Sequence, residues 1–257
     1  MTPMKFRSIL ERQGVDFDSV EVFEDPIRKL LTSSNTKTVK GLKRGYATKI
    51  LHLSPSLRSG FQTCSNATDG CAAACLNEAG HSGIYKRGES DNSHQRARRR
   101  KTHWFFARRA EFMTRLDREI QNHVKNSLRK GLVPCVRLNG TSDIRWESVT
   151  DGDGLTVFDR HPEVIFYDYT KHPDRDVRDI PNYSLTFSLA ESNDSAAKKA
   201  LKRVNVAVVF RELPETFWGR PVVDGDESDL RFLDPSGVIV GLKAKGPAKQ
   251  DKSGFVR

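Results

Sequence analysis

The sequence predicts an α/β fold, namely a partial (β/α) barrel-like sheet of about six strands that ends in a C-terminal hairpin. The first indication is that short apolar runs recur along the chain and each ends in polar residues. The second is that most segments between these runs exceed the roughly twelve residues that a crossover between parallel strands requires. In such sheets, ligands bind where the carboxyl ends of the strands meet. We therefore expect the functional residues at that edge.

The composition is that of a globular protein with many loops. Of the 257 residues, 37% are hydrophobic and 30% are charged, which excludes a collagen-like or a fully disordered chain. No window approaches the roughly 18 consecutive apolar residues of a membrane helix, and the first ten residues lack the apolar core of a secretory signal. We therefore expect a cytoplasmic protein that does not contact membranes.

The elements follow one another without an evident domain boundary after residue 45. Residues 1–45 are interpreted as an N-terminal appendage with a short helix at 26–31, and residues 46–257 as one α/β barrel-like domain with a cysteine-rich loop. Strands are predicted over residues 49–54, 133–138, 164–167, 183–187 and 204–210, and a helix over 196–202. Residues 230–234 and 238–242 flank a Pro-Ser-Gly turn and predict the hairpin, and residues 243–257 are expected on the surface.

A strongly basic helix is predicted over residues 96–130. The chain has 43 Lys and Arg against 33 Asp and Glu, a net charge of +10, and residues 84–130 hold fourteen of these basic residues but only five of the acidic ones. Apolar residues recur about every four positions and would form one buried stripe, namely Phe105, Phe112, Leu116, Ile120, Val124 and Leu128. The basic residues on the other faces indicate either a surface for nucleic acid or a solvated helix.

The cysteine loop carries Cys64, Cys71 and Cys75, a Cys-x6-Cys-x3-Cys array that directly follows the first predicted strand. Such clustering is more typical of a metal or redox site than of a disulfide framework. Three thiolates can hold three irons of a [4Fe–4S] cluster and leave the fourth iron open for an external ligand. Zinc with His81 or Cys135 as fourth ligand is an alternative, and inert buried thiols are a third interpretation.

Polar residues after the later strands complete the predicted edge. Asp143, Asp168 and Lys171 are candidate catalytic residues, because carboxylates and an amine at strand ends can move protons. Capping of a short helix around Trp146 is the structural alternative for Asp143, and a surface position is the alternative for Lys171. Further polar residues on this edge include the candidate cofactor-binding residues Ser188 and Glu191.

An acidic run near the C-terminus has two interpretations. Five carboxylates crowd eleven residues, namely Asp224, Asp226, Glu227, Asp229 and Asp234. Carboxylate oxygens suit Mg²⁺, so the run could serve phosphodiester cleavage. Asp-Gly-Asp is also a common turn sequence, and a charged turn explains the run without a metal.

Several motifs in one order resemble a known family. They are KTVKG at residues 37–41, the cysteine loop with the residues after it at 64–80, RLNGTSD at 137–143, FYDYTK at 166–171, PNY at 181–183 and DGD at 224–226. From about residue 35 onward the chain resembles the uncharacterised bacteriophage gene-product-88 family. This resemblance implies a phage protein in the cytoplasm of the host cell, but it implies no particular reaction.

A more distant similarity is to radical S-adenosylmethionine enzymes, which carry three cysteines in the loop after the first strand of a partial barrel. It implies that Cys64, Cys71 and Cys75 ligate a [4Fe–4S] cluster. It also implies that the loop after the next strand contacts S-adenosylmethionine through Asn139, Gly140, Thr141 and Ser142. The spacing departs from the usual Cys-x3-Cys-x2-Cys array of those enzymes.

The combined prediction is a phage-type iron–sulfur enzyme of radical S-adenosylmethionine-like character. Its substrate would be a small molecule or a nucleotide, with nucleic acid as a possible partner of the basic helix at 96–130. The alternative is a zinc-stabilised, non-catalytic nucleic-acid-binding protein of phage replication or host takeover, whose binding would weaken steeply with salt.

Overall fold

A computed structural model describes residues 27–33, 36–78, 83–84 and 92–257 of the chain. The strands are β1 (Leu31–Thr32), β2 (Tyr46–Leu51), β3 (Val133–Arg137), β4 (Ile165–Thr170), β5 (Tyr183–Ser188), β6 (Val206–Phe210), β7 (Thr216–Phe217), β8 (Arg220–Asp224) and β9 (Ile239–Lys243). The α-helices are α1 (Thr36–Leu42), α2 (Asp69–Ala73), α3 (Ser93–Ala107), α4 (Arg109–Leu128), α5 (Val157–Arg160) and α6 (Asp194–Ala200). Short 3₁₀ helices cover Leu76–Glu78, Trp146–Ser148, Arg231–Leu233 and Gly246–Gln250.

The described strands form one sheet in the order β1-β2-β3-β4-β5-β6-β9-β8-β7. All pairs from β2 to β8 are parallel, and the short strands β1 and β7 add antiparallel edges. Strands β2 to β6 lie side by side in chain order, so their carboxyl ends meet at one edge. The predicted α/β class is confirmed. The predicted number of about six strands is wrong, because the open sheet has nine strands over the described residues, and partial barrel character stays a prediction.

The predicted C-terminal hairpin is wrong. Residues 231–233 form a 3₁₀ helix, and β9 pairs in parallel with β6 on one side and with β8 on the other. Because both hydrogen-bonding edges of β9 are occupied, a hairpin partner has no free edge to join. The expectation that residues 243–257 lie on the surface also fails in part, since Phe255 and Val256 are buried and Val256 bridges to Val209.

The N-terminal prediction of a helix at 26–31 is wrong over its described residues. Residues 27–30 are not helical, and Leu31–Thr32 pairs with β2 as an edge strand. The carboxylate of Glu119 on α4 accepts the backbone N–H groups of Leu30 and Leu31, each at 3.0 Å. These backbone donors are therefore satisfied by a distant side chain instead of by a helical turn.

The predicted basic helix is broken into α3 and α4 at Arg108, whose backbone has φ −136° and ψ 60°. The apolar stripe is confirmed from Phe105 to Val124, and these side chains pack with Trp146 against β2 to β5. Leu128 is 62% exposed and lies outside the stripe. A second buried cluster joins α6 to β5, β6 and β9. Within the described residues, no helix combines the length and the apolarity that a membrane crossing needs.

Two substitutions on α4 test this packing. Leu116 is fully buried, so Leu116→Ala should lower the free energy of unfolding by about 2–5 kcal/mol, because it leaves a cavity. Leu128→Ala removes the same atoms from an exposed position and should change it by no more than about 0.5 kcal/mol. Urea unfolding followed by circular dichroism measures both, and equal losses would contradict the assigned buried face of α4.

Candidate functional site

Four loops meet at the carboxyl edge of the sheet. They follow β2 (residues 52–75), β3 (138–146), β4 (171–175) and β5 (189–193). The first of them carries Cys64, Cys71 and Cys75, so the edge predicted to be functional is the edge at which the cysteine loop lies.

The cysteine loop has its own local structure. Thr68 caps α2, and its hydroxyl oxygen accepts the N–H of Cys71 at 3.2 Å. Cys75 follows the end of α2, and its sulfur accepts the N–H of Asn77 at 3.5 Å. All four cysteines are free thiols, and the three on this loop are half-buried.

The loop after β3 holds the start of the cysteine loop. The N–H of Asp143 donates to the carbonyl of Thr63 at 2.8 Å. The hydroxyl of Thr141 donates to the carbonyl of Leu53 at 2.5 Å, and the carbonyl of Thr141 accepts from the thiol of Cys64 at 3.8 Å. Cys64 is therefore fixed against the carboxyl end of β3.

The loop after β4 holds the middle of the cysteine loop. The side-chain amide of Asn66 donates to the carbonyl of Lys171 at 3.2 Å, and the hydroxyl of Ser65 lies 3.5 Å from Nε2 of His172. The N–H of Lys171 in turn donates to the carboxylate of Asp143 at 2.7 Å. The loops after β2, β3 and β4 thus form one hydrogen-bonded unit.

Glu191, after β5, binds the N-terminal end of α2. Its carboxylate accepts the Thr68 hydroxyl and the Gly70 N–H, each at 2.7 Å. Although partial burial opposes it, these hydrogen bonds hold the pKa of Glu191 below its ordinary value. A Cβ at Gly70 would lie 2.7 Å from a Glu191 oxygen and would also meet the Ser253 hydroxyl, so a larger residue there would have to displace these side chains. We call these two hydrogen bonds of Glu191 the Glu191 clamp. A small apolar cluster packs beside Cys71, namely Ala74, Ala190, Phe255 and Val256.

The thiols of Cys64 and Cys75 are protonated at neutral pH. Burial raises the pKa of both above the ordinary value of 9.0. The charge of Asp143 further raises the pKa of Cys64, whereas the N–H of Asn77 and the charges of Arg58 and Arg98 oppose the rise at Cys75. Binding of a metal, which requires thiolates, would release their protons.

The donor set suits a soft metal, since thiolates select iron–sulfur clusters, zinc or copper(I). Among the described residues, no three His, Cys, Asp or Glu side chains are gathered closely enough to hold a metal ion. His81, the proposed fourth zinc ligand, lies outside those residues. Cys135 is buried within β3 beside Tyr167 and Leu230 and not at the edge of the sheet. The thiols thus match a soft metal in their chemistry, but they are not gathered around one position among the described residues, and the assignment of Cys64, Cys71 and Cys75 as ligands stays a prediction.

The polar side chains of residues 139–142 form hydrogen bonds with other residues of the chain. The side-chain oxygen of Asn139 accepts from the Ser142 hydroxyl, the Ile144 N–H and the Trp146 indole. A Cβ at Gly140 would lie 2.6 Å from Ile50 and 2.8 Å from the carbonyl of Leu51, so this loop touches β2. Its side chains therefore shape the loop that supports Cys64.

Asp143 is not a helix cap. The 3₁₀ helix Trp146–Ser148 starts after Arg145 without a side-chain cap, and the Asp143 carboxylate instead accepts from Lys171 and from Arg175. Lys171 stands at the edge, with its Nζ 5.7 Å from the ring centre of Phe255. The carbonyl of Ser188 accepts from the Asn193 side chain. Catalytic roles for Asp143 and Lys171 stay predictions.

Asp168 lies below the edge, only 1% exposed. Its carboxylate accepts the N–H groups of Leu138 and Asn139 and the hydroxyl of Tyr183. Burial raises its pKa to about 6, although Arg137 and the backbone donors oppose this shift. Asp168 therefore joins β3, β4 and β5 and has almost no access to solvent.

Arg175 is a central residue that the sequence did not indicate. Its side chain is fully buried and binds Glu147 through two nitrogens, at 2.9 Å and 2.8 Å, and also Asp143 and Tyr183. A lone arginine in a polar Pro-Asp-Arg-Asp loop carries no spacing signal. Only its partners, which lie in two other segments, reveal it.

The acidic run is used in ion pairs and a turn. Asp229 binds Arg137 at 2.7 Å, Asp226 binds Lys245 at 2.6 Å, and Asp234 lies 3.3 Å from Arg231. The carboxylate of Asp224 accepts the N–H of Asp226, as in a turn. The charged-turn interpretation therefore holds for Asp224 and Asp226, and the described carboxylates are not grouped around a possible magnesium ion.

Comparison with known proteins finds one match. The family model described as gene product 88 matches residues 29–257. No curated protein and no solved structure matches the chain. The predicted resemblance to the phage family is thereby confirmed, whereas the similarity to radical S-adenosylmethionine enzymes receives no support from these comparisons.

The Glu191 clamp can be tested at Gly70. Gly70→Ala forces a methyl group against Glu191 and Ser253, so it should lower the free energy of unfolding by about 1–3 kcal/mol and speed proteolysis of residues 64–75. Gly152→Ala is the matched control, because a Cβ there meets nothing within 4 Å. Limited proteolysis with mass spectrometry measures the effect, and identical behaviour of the two variants would contradict the clamp.

Asp168 should make stability depend on pH. Its pKa of about 6 in the folded protein exceeds the unfolded value of 3.8, so the folded state binds the proton more tightly and the Asp168 contribution declines as pH rises from about 4 to 6. The free energy of unfolding of wild type minus that of Asp168→Asn should therefore fall by about 1–3 kcal/mol between pH 4 and pH 7. Urea unfolding at several pH values measures it, and a constant difference would refute the assignment.

Proposed function

The chain belongs to the gene product 88 family, and we propose that it is an iron–sulfur enzyme in which Cys64, Cys71 and Cys75 hold a [4Fe–4S] cluster. The observation that carries the proposal is the attachment of the cysteine loop to the loops after three successive parallel strands. A loop held in this way presents its thiols where sheets of this type bind ligands.

The number of thiols supports a cluster in which one iron has no protein ligand. Three cysteine ligands account for three of the four irons, and the remaining iron can take a small molecule as ligand. The basic side chains of Arg58 and Arg98 act on Cys75 and would offset the negative charge of a thiolate-bound cluster. The small, exposed residues Ala72 and Ala73 leave space along α2 for a bulky group.

We assign S-adenosylmethionine as the ligand of that iron, by analogy of fold. Support comes from the run of parallel strands β2 to β6 in chain order and from the position of the cysteine loop after the first of them. A cluster held by Cys64, Cys71 and Cys75 would supply one-electron reduction of the bound sulfonium, with the electron coming from an external reductant and one sulfur–carbon bond of S-adenosylmethionine breaking.

The chain's own residues then divide into two groups. Asn139, Gly140, Thr141, Ser142 and Glu191 position the cysteine loop, because their polar groups already bind within it or its supports. Asp168 positions β3 against β5. Asp143 and Lys171, which lie at the edge, remain the candidates for contact with substrate.

No separate observation on the described residues supports the alternative, a non-catalytic nucleic-acid-binding protein. Arg98 donates to Asn77, Lys101 to the carbonyl of Leu30 and Arg115 to Glu119. These basic side chains of α3 and α4 thus serve contacts within the chain.

Metal analysis after anaerobic reconstitution tests the proposal. Wild-type protein should bind about four irons and four sulfides per chain and show broad thiolate-to-iron absorption. Cys64→Ser, Cys71→Ser and Cys75→Ser should each lose most of this iron. Cys135→Ala removes the thiol that is buried within β3, so it should keep the iron and serves as the control.

Two outcomes would overturn the proposal. A colourless protein with stoichiometric zinc would favour the zinc-stabilised binding protein, and iron that survives all three serine substitutions would show that the thiols do not hold it. Loading should also release protons, since the raised pKa values of Cys64 and Cys75 keep these thiols protonated beforehand.

A further inference from the structure

A cleft of about 260 Å³ adjoins the cysteine loop. Gln62, Thr63 and Ser65 form one wall, so the residues on both sides of Cys64 line it. The junction between α3 and α4 forms the second wall, and the loops after β3 and β4 form the third. The cleft lies beside the proposed metal site and uses different side chains.

The second wall of the cleft is aromatic. Phe105 and Phe106 line it, and their rings contact each other edge to face at 5.1 Å. Phe106 also stacks on Phe61 with ring centres 4.4 Å apart and an angle of 3°. The Phe106 ring is therefore held rigidly in the wall of the cleft, and a rigid ring can stack on a planar ligand at little entropic cost.

The rim of the cleft carries cationic groups. The guanidinium of Arg109 lies 4.1 Å from the ring centre of Phe105, and its Nε donates to the Phe105 carbonyl. Over the part of the chain that the structure describes, no carboxylate pairs with Arg109. Arg145, whose Nε lies 3.4 Å from a carboxylate oxygen of Glu147, also lines the cleft. The ring of His172 and the carboxylate of Asp143 lie beside it, and that carboxylate is already bound by Arg175 and the N–H of Lys171.

Together these features select a planar, anionic ligand. We infer that this cleft binds a nucleoside monophosphate, with its base against Phe106 and its phosphate at Arg109. Arginine binds phosphate through parallel hydrogen bonds, and an aromatic ring stacks on any base. The side chains of Gln62 and Ser65 supply hydrogen-bonding groups for the edge of the base.

The size of the cleft limits the ligand to one nucleotide. Its volume of about 260 Å³ lies just below the usual range for ligand pockets, about 300–1,000 Å³. The claim that this nucleotide is the substrate of the enzyme rests on the proposed function, because the cleft adjoins Cys64. The claim that the cleft binds a nucleotide rests on the lining residues alone, so the two claims can fail separately.

Isothermal titration calorimetry of the full chain with AMP, adenosine and inorganic phosphate tests the site. AMP should bind saturably and more tightly than either fragment. Arg109→Gln should raise the Kd for AMP about tenfold or more, through the loss of a charge-assisted hydrogen bond, and should leave adenosine binding unchanged. Arg145→Gln, at a half-exposed side chain 3.4 Å from Glu147, should also weaken AMP binding, and circular dichroism checks that this variant is folded.

Arg129→Gln is the matched control, because Arg129 directly follows α4 and lies outside the cleft. No saturable AMP binding, or equal weakening by Arg129→Gln and Arg109→Gln, would overturn the proposal. Iron content is measured in the same variants. Iron without AMP binding would refute the cleft alone, and AMP binding without iron would refute the enzyme alone.

Discussion

The carboxylate of Glu191 is the contact on which the candidate site depends most. It accepts two hydrogen bonds at the start of α2, and α2 has only five residues. A helix this short is not stable by itself, because its few hydrogen bonds do not offset the cost of nucleation. Glu191 and the packing of Ala74 on Phe255 therefore keep Cys71 and Cys75 at the sheet. Gly70 is required for the close approach of the carboxylate.

A buried ionic network supports the neighbouring loops. Arg175 binds Glu147 and Asp143, while Asp168 binds the backbone after β3 and the hydroxyl of Tyr183. Removing such charges from water is costly, and this cost is offset only where each group finds several partners. The network therefore favours one arrangement of the loops after β3 and β4. This arrangement also shapes one wall of the aromatic cleft.

The sequence predicted the parts of the fold that local pattern determines. Four strands between residues 133 and 210 lie close to their predicted positions, and the stripe from Phe105 to Val124 is buried. The misplaced elements depend on distant partners. Leu31 joins a strand because Glu119 and β2 satisfy its backbone, and β9 lies between β6 and β8 although its turn would suit a hairpin.

The same distinction applies to the site. Its place at the carboxyl edge followed from the order of strands and cysteines, because parallel strands bring their ends together. Residue type alone did not reveal that Asn139 and Glu191 position the loop, since the hydrogen bond from Thr68 to Glu191 spans 123 residues.

The burial of Phe255 and Val256 has a consequence for biosynthesis. These residues leave the ribosome after every described strand of the sheet, so the apolar cluster beside Cys71 is completed only after β9 has been synthesised.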